Sequence, residues 1–190
     1  MQRQAVLTLA DLVLPRRGLL ARGAAVLGGT LLIALSAQIA IPFVPVPLTG
    51  QTFAVLLVAA LLGGRLGAAT MIAYLIEGAA GLPVFSGWSG GAARLFGPTG
   101  GYLIAFVPAA WIVGSLCERG WDRRFPTAAL AMIAGNAVIL LGGVAWLSLF
   151  TGVARAAAAG LVPFLAGDIL KIVLAALALP AGWRLLGRTR

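Results

Sequence analysis

The sequence predicts an all-α integral membrane bundle of six transmembrane helices with both termini cytoplasmic. Three observations carry this. Apolar residues form 61% of the 190-residue chain and charged residues only 10%, whereas a soluble domain carries about 25% charged residues. Mean hydropathy is +1.04. The apolar stretches are also separated by short arginine-bearing or Pro/Gly-rich turns, the pattern of a chain that crosses a bilayer repeatedly. Nothing marks a second globular unit. Residues 1–22 read as a cytoplasmic or interfacial N-terminal arm, and residues 23–187 as one six-helix membrane domain.

The arm carries Arg3, Arg16, Arg17 and Arg22, and residues 5–14 read as an interfacial helix. Arg16-Arg17 before an apolar run fits an export signal. The run is too long for one, however, and further spans follow. The first span is expected over about 24–41, long enough for the ~30 Å hydrocarbon core. Pro42, Pro45 and Pro47 then end it and force an extended turn. Gly63-Gly64-Arg65 splits the next apolar stretch into two short or tilted helices, near 52–63 and 66–79.

Residues 81–101 form a Gly-rich connector holding Arg94. The fourth span covers 101–117, the fifth 127–151 and the sixth 163–186, with a charged loop at 118–124. Eleven of the fourteen basic residues fall in the arm, the 63–66 turn, the 118–124 loop and the C-terminal tail. Only Arg94 and Arg155 lie among the loops of the other side. Positive charge stays inside, so the termini are expected in the cytoplasm, and a bacterial inner membrane fits.

Absent residue types exclude whole chemistries. The chain has no histidine and one cysteine, so His-based catalysis, an H-E-x-x-H metal site and an internal disulfide are excluded. It has no phosphate-binding G-x-x-x-x-G-K-[ST] loop, and no basic stripe interleaved with aromatics points to nucleic acid.

What the loops leave unexplained is a set of charges at membrane depth. Lys171 is the only lysine in the chain, and Asp168 lies three positions before it. On a helix both project from one face, amid Leu165, Ile169, Leu170, Ile172, Val173 and Leu174. Such groups usually face a bundle interior or a substrate path. A self-satisfied ion pair is the plainer reading. Glu77 and Arg94 fall toward the same outer half, with a solvated helix end and a headgroup anchor as their plainer readings.

The connectors at 42–51 and 81–101 cannot face lipid with unsatisfied backbone, so they are expected to fold over the outer mouth of the bundle. Trp88, Phe85, Phe96 and Tyr102 supply apolar floor there. Together this inventory favours a small, mostly apolar ligand with an anionic end: Arg94 for a carboxylate, Asp168 for N–H donors, Lys171 for a carbonyl.

Several of these stretches resemble one family. The run from Ile41 to Thr52 (IPFVPVPLTGQT) is similar to the first-loop signature of the BioY family, the biotin-specific S components of energy-coupling-factor (ECF) transporters. So are Ala37-Gln38-Ile39, Gly81-Leu82-Pro83-Val84-Phe85, Gly97-Pro98-Thr99-Gly100-Gly101-Tyr102-Leu103, and Pro163-Phe164 with Gly167, Asp168 and Lys171. The resemblance covers about residues 24–185.

It implies a six-helix membrane subunit that captures biotin from outside, with Asp168 and Lys171 on the ureido head and Arg94 near the carboxylate. Gln51 and Thr49 are further candidates from the first loop. An asparagine of the family's pocket has no counterpart in residues 74–101. No cofactor is implied in this chain. The implied partners are biotin, a transmembrane coupling protein and two ATPases that hold the ATP and magnesium. Ala21, Ala25 and Gly29, with Ser36 and Ala40, form a small-residue set on the first helix of the kind S components turn toward the coupling protein. Three other readings stay open: an S component for thiamin or riboflavin, a membrane-embedded enzyme using Asp168 and Glu77 as acid and base, and a channel. The last two lack a nucleophile–base pair and a charged ring.

Overall fold

The computed structural model describes residues 8–9 and 18–187; apart from Thr8 and Leu9, the interfacial helix expected at 5–14 lies outside them. Helix α1 (Leu19–Gln38) leads into a two-stranded antiparallel ribbon, β1 (Ala40–Ile41) and β2 (Leu48–Thr49). Then come α2 (Gln51–Leu62), α3 (Gly64–Ala79), the short α4 (Ala93–Phe96) and α5 (Gly100–Cys117). A 3-10 turn (Trp121–Arg123), α6 (Phe125–Thr151), α7 (Val153–Gly160) and α8 (Val162–Gly187) complete the chain.

The bundle is all-helical, as expected. Four of its helical stretches, at 19–38, 100–117, 125–151 and 153–185, are long and apolar enough to cross a membrane. The expected break at Gly63 is present, where φ of +83° favours glycine and separates α2 from α3. Three elements were not anticipated. The ribbon ends α1 at Gln38, before the prolines, and α4 and α7 occupy stretches read as connectors. Helix α7 starts because Gly152, at φ +80°, turns the chain after α6.

Burial sorts each helix into an inward and a lipid-facing stripe. On α8 the inward stripe is Phe164, Asp168, Ala175 and Leu179, while Leu165, Ile169, Leu170, Leu174 and Leu177 are exposed. Without a hydrophobic drive between lipid-bathed helices, close approach depends on small residues. The α5–α6 pair shows it: Gly101 faces Trp146 and the Gly142 carbonyl, Gly142 faces Ala105, and Gly143 lies against the Tyr102 ring. On α1, Gly29 is buried against Thr70 and Val58. It is a packing glycine within the bundle rather than part of a free surface; Ala21, Ala25 and Ser36 are half-buried, while Ala40, expected on this helix, lies beyond its end in β1 and is exposed.

The two ends of the bundle differ in chemistry. At the arginine-rich end, Glu118 Oε1 accepts the Gly64 N–H at 2.9 Å, placing a carboxylate at the start of α3. Asp122 is fully buried there; Trp183 Nε1 donates to its Oδ2 at 2.6 Å, and Arg123 lies 4.7 Å over the Trp183 ring. Among the described residues, Asp122 Oδ1 has no hydrogen-bond partner. Burial pushes this carboxyl above its ordinary range, against the opposing pull of the Trp183 N–H and Arg123.

A folded value above the unfolded one gives stability that is full below the ordinary carboxylate pKa and lost as pH rises through the folded value. Asp122→Asn, neutral throughout, is therefore expected to melt higher than the parent at neutral pH, with the difference shrinking in acid. Melting curves in detergent across that range check it; curves that stay parallel would remove the buried charge from the account.

Candidate functional site

The opposite end carries the ribbon, the 80–92 connector and α4, and these cover a cavity of about 120 Å³. Its lining comes from seven places. The first loop supplies Pro45, Val46, Pro47 and Thr49, and α2 supplies Gln51 and Thr52. The connector supplies Phe85, Ser86 and Ser89, α4 supplies Arg94, and α5 with its preceding turn supplies Thr99, Tyr102, Leu103 and Phe106. Leu140 of α6 and Phe164 of α8 complete it. The lining combines hydroxyl, amide and guanidinium groups with a larger aliphatic and aromatic share, as ligand pockets usually do.

Behind Thr49 and Thr52 stands the charged pair. Lys171 Nζ lies 3.1 Å from Asp168 Oδ1 and also donates to the Thr49 carbonyl at 2.8 Å and Thr52 Oγ1 at 2.9 Å. All three ammonium protons therefore have acceptors. Asp168, only 2% exposed, receives a second bond at Oδ2 from Asn136 Nδ2 at 3.0 Å. The pair faces inward because Asp168 occupies the buried stripe of α8, one helical turn after Phe164. Lys171 then binds two residues of the cavity wall, Thr49 and Thr52.

A second polar thread starts at Thr49. Its Oγ1 donates to Gln51 Oε1 at 3.0 Å, Gln51 Nε2 donates to Tyr74 Oη at 2.7 Å, and Tyr74 Oη donates to the Val84 carbonyl at 2.8 Å. Asn136, Asp168, Lys171, Thr49, Gln51 and Tyr74 thus join α6, α8, the first loop, α2, α3 and the connector. Tyr102 is fixed separately: its hydroxyl donates to the Gly160 carbonyl at 2.7 Å, and its ring stacks on Phe164 with centroids 5.9 Å apart.

Of the residues singled out from sequence, Thr49, Gln51, Phe85, Arg94 and Tyr102 line the cavity, with Arg94 exposed at its edge. Asp168 and Lys171 are joined to each other behind the wall. Glu77 and Trp88 are off the lining. Trp88 is 66% exposed because its φ of +54° belongs to a turn that carries the indole outward. Phe96, also read as floor, is 71% exposed.

Three residues escaped the sequence reading. Asn136 is one polar side chain inside a long apolar run, a signal that intramembrane polar groups warrant. Tyr74 and Thr52 carry no such signal, since hydroxyl-bearing residues are common in membrane helices.

Fold and site together define a helical membrane protein with a small cavity backed by a charged pair. The sequence model of the BioY family matches residues 2–188; the chain belongs to the BioY family. It is 44% identical over 158 residues to a protein of Pyrococcus horikoshii named "Probable biotin transporter BioY", covering 83% of this chain and 91% of that one. It is 41% identical over 149 residues to the "Biotin transporter BioY" of Thermotoga maritima, covering 78% and 87%. Among solved structures it resembles the S component for biotin from an ECF-type ABC transporter, at TM-score 0.74 and 26% identity, over 85% of this chain and 90% of that one.

Proposed function

We propose that this chain is the biotin-binding S component of an ECF-type importer, a multi-pass protein of the bacterial inner membrane. It captures biotin from outside and passes it on with a coupling protein and two ATPases. The observation that carries this reading is the pair of buried Asp168 and part-buried Lys171, bonded to two residues of the cavity wall. A carboxylate and an ammonium side by side match a cyclic urea, which offers N–H donors beside a carbonyl. The ammonium turns to the ligand by exchanging one of its three protein acceptors.

The aliphatic and aromatic lining takes the apolar body of biotin, Tyr102 included. Arg94, across the cavity edge, meets its carboxylate. Thr49 and Gln51 complete the polar wall. The short α2 and α3 count as the second and third of six crossings, and the arginine-rich end faces the cytoplasm. ATP and magnesium belong to the ATPases. The coupling protein approaches α1, where Ala21, Ala25 and Ser36 are the reachable members of the small-residue set, with Ala40 just beyond the helix in β1.

Titration calorimetry of the purified protein with biotin is the direct test. Saturable binding is expected; no heat at micromolar biotin overturns the assignment, and binding of thiamin or riboflavin instead reassigns the vitamin. Co-purification of the tagged chain from native membranes is expected to bring down the coupling protein and ATPases.

A further inference from the structure

We infer that Gln38, the last residue of α1, is a positioning residue for the ligand pocket. Its primary amide uses both ends on one turn of the connector. Nε2 donates to the Phe85 carbonyl at 3.1 Å, and Oε1 accepts the Trp88 N–H at 2.9 Å. The second Nε2 proton goes to the Ala34 carbonyl of α1 itself at 3.1 Å, which fixes the amide plane against the helix.

The turn so held is a tight loop: Phe85 and Ser89 exchange backbone bonds at 2.9 and 3.3 Å, and Ser89 Oγ donates to the Ser86 carbonyl at 2.8 Å. Gly87 and Trp88 both take positive φ, +69° and +54°. That conformation is unfavourable for a residue with a Cβ and persists where surroundings enforce it. Among the described residues, the hydrogen bonds from residues 85–89 to any helix are those with Gln38.

Three residues of this turn, Phe85, Ser86 and Ser89, line the cavity. Phe85 is 3% exposed, with its ring edge-on to Tyr74 at 5.5 Å and seated over Gly78. Helix α1 itself supplies no lining residue. Gln38 therefore acts on the ligand through the turn, as the point where a peripheral, largely lipid-exposed helix fixes one wall of the pocket. Methionine at this position keeps the length and loses both bonds. Glutamate keeps an acceptor for the Trp88 N–H but sets a carboxylate against the Phe85 carbonyl.

The inference rests on the pocket being the biotin site, so its test has two independent readouts. Biotin dissociation is measured for the parent, Gln38→Met and Gln38→Glu, and hydrogen–deuterium exchange is measured on peptides spanning 82–91 and on α5 as control. Both variants are expected to release biotin about tenfold faster or more, since methionine loses both bonds to the turn and glutamate replaces one of them with a repulsive contact. They are also expected to exchange faster at 85–89, with α5 protection and melting temperature unchanged. Parent-like release, or exchange at 85–89 like that of the parent, overturns the role. If the parent itself takes no biotin, the functional assignment fails instead, and unchanged exchange at 85–89 still rejects Gln38.

Discussion

Replacing Lys171 by methionine is expected to lower stability by about 3–5 kcal/mol, the usual result of removing one partner from a buried ion pair. The reason is Asp168. It is 2% exposed, and without the ammonium it keeps one hydrogen bond, from Asn136. Thr52 Oγ1 and the Thr49 carbonyl lose their donor as well. Biotin affinity should fall by about 2 kcal/mol or more, near thirtyfold, and Asp168→Asn should lose a similar amount.

The double variant Asp168→Leu/Lys171→Met separates the two effects. With neither charge buried, thermal stability is expected to return toward the parent. Affinity is not, because the ligand's polar head still lacks its partners. Single variants with parent-like Kd by titration calorimetry would reduce the pair to a structural ion pair.

Gly143→Ala should give the second largest effect. An added Cβ would fall onto the Tyr102 ring, meeting Cδ1, Cε1 and Cγ. That ring cannot yield freely, since its hydroxyl is bonded to Gly160 and its face stacks on Phe164. Relief comes from parting α5 and α6 or from tilting Tyr102 into the cavity it lines.

Overpacking of this kind costs about 1–3 kcal/mol, and the narrowed cavity should lower biotin affinity by about tenfold or more. Tyr102→Leu in the same chain removes the obstructing ring, so the two changes should couple strongly in a double-mutant cycle of melting temperatures. Additive effects would show that the α5–α6 contact has slack the geometry does not reveal.

Much of the helical layout was legible in advance because lipid makes the rules strict. A backbone that finds no water must satisfy itself, so apolar length, proline and glycine mark where helices run and stop. The expected breaks at 63 and 118–124 and the expected 127–151 helix show this. The ribbon at 40–49 and the helix at 153–160 were not legible. Both are short stretches with local backbone bonding, too brief to show a helical or strand period in the sequence.

At the site, Thr49, Gln51, Phe85, Arg94 and Tyr102 reach the cavity, while Trp88 does not. Its aromatic character suited a pocket floor, but side-chain direction there is decided by a positive φ. Asn136 was passed over for a related reason. A single amide in an apolar run has meaning only once the carboxylate it meets, 32 residues away, is known.

What the sequence determined by itself is therefore the solvent and the family: a helical membrane chain with an unmatched aspartate–lysine pair at depth, set among motifs of the BioY family. Tertiary structure decided where those charges point and what they hold. Stripe by stripe, it turned Asp168 inward, set Lys171 against the first loop, brought Asn136 up behind and bolted the connector turn to α1 through Gln38. Composition and spacing report free energies of transfer, which depend on one residue at a time. A binding wall depends on the mutual direction of side chains from distant segments, and that exists only after packing.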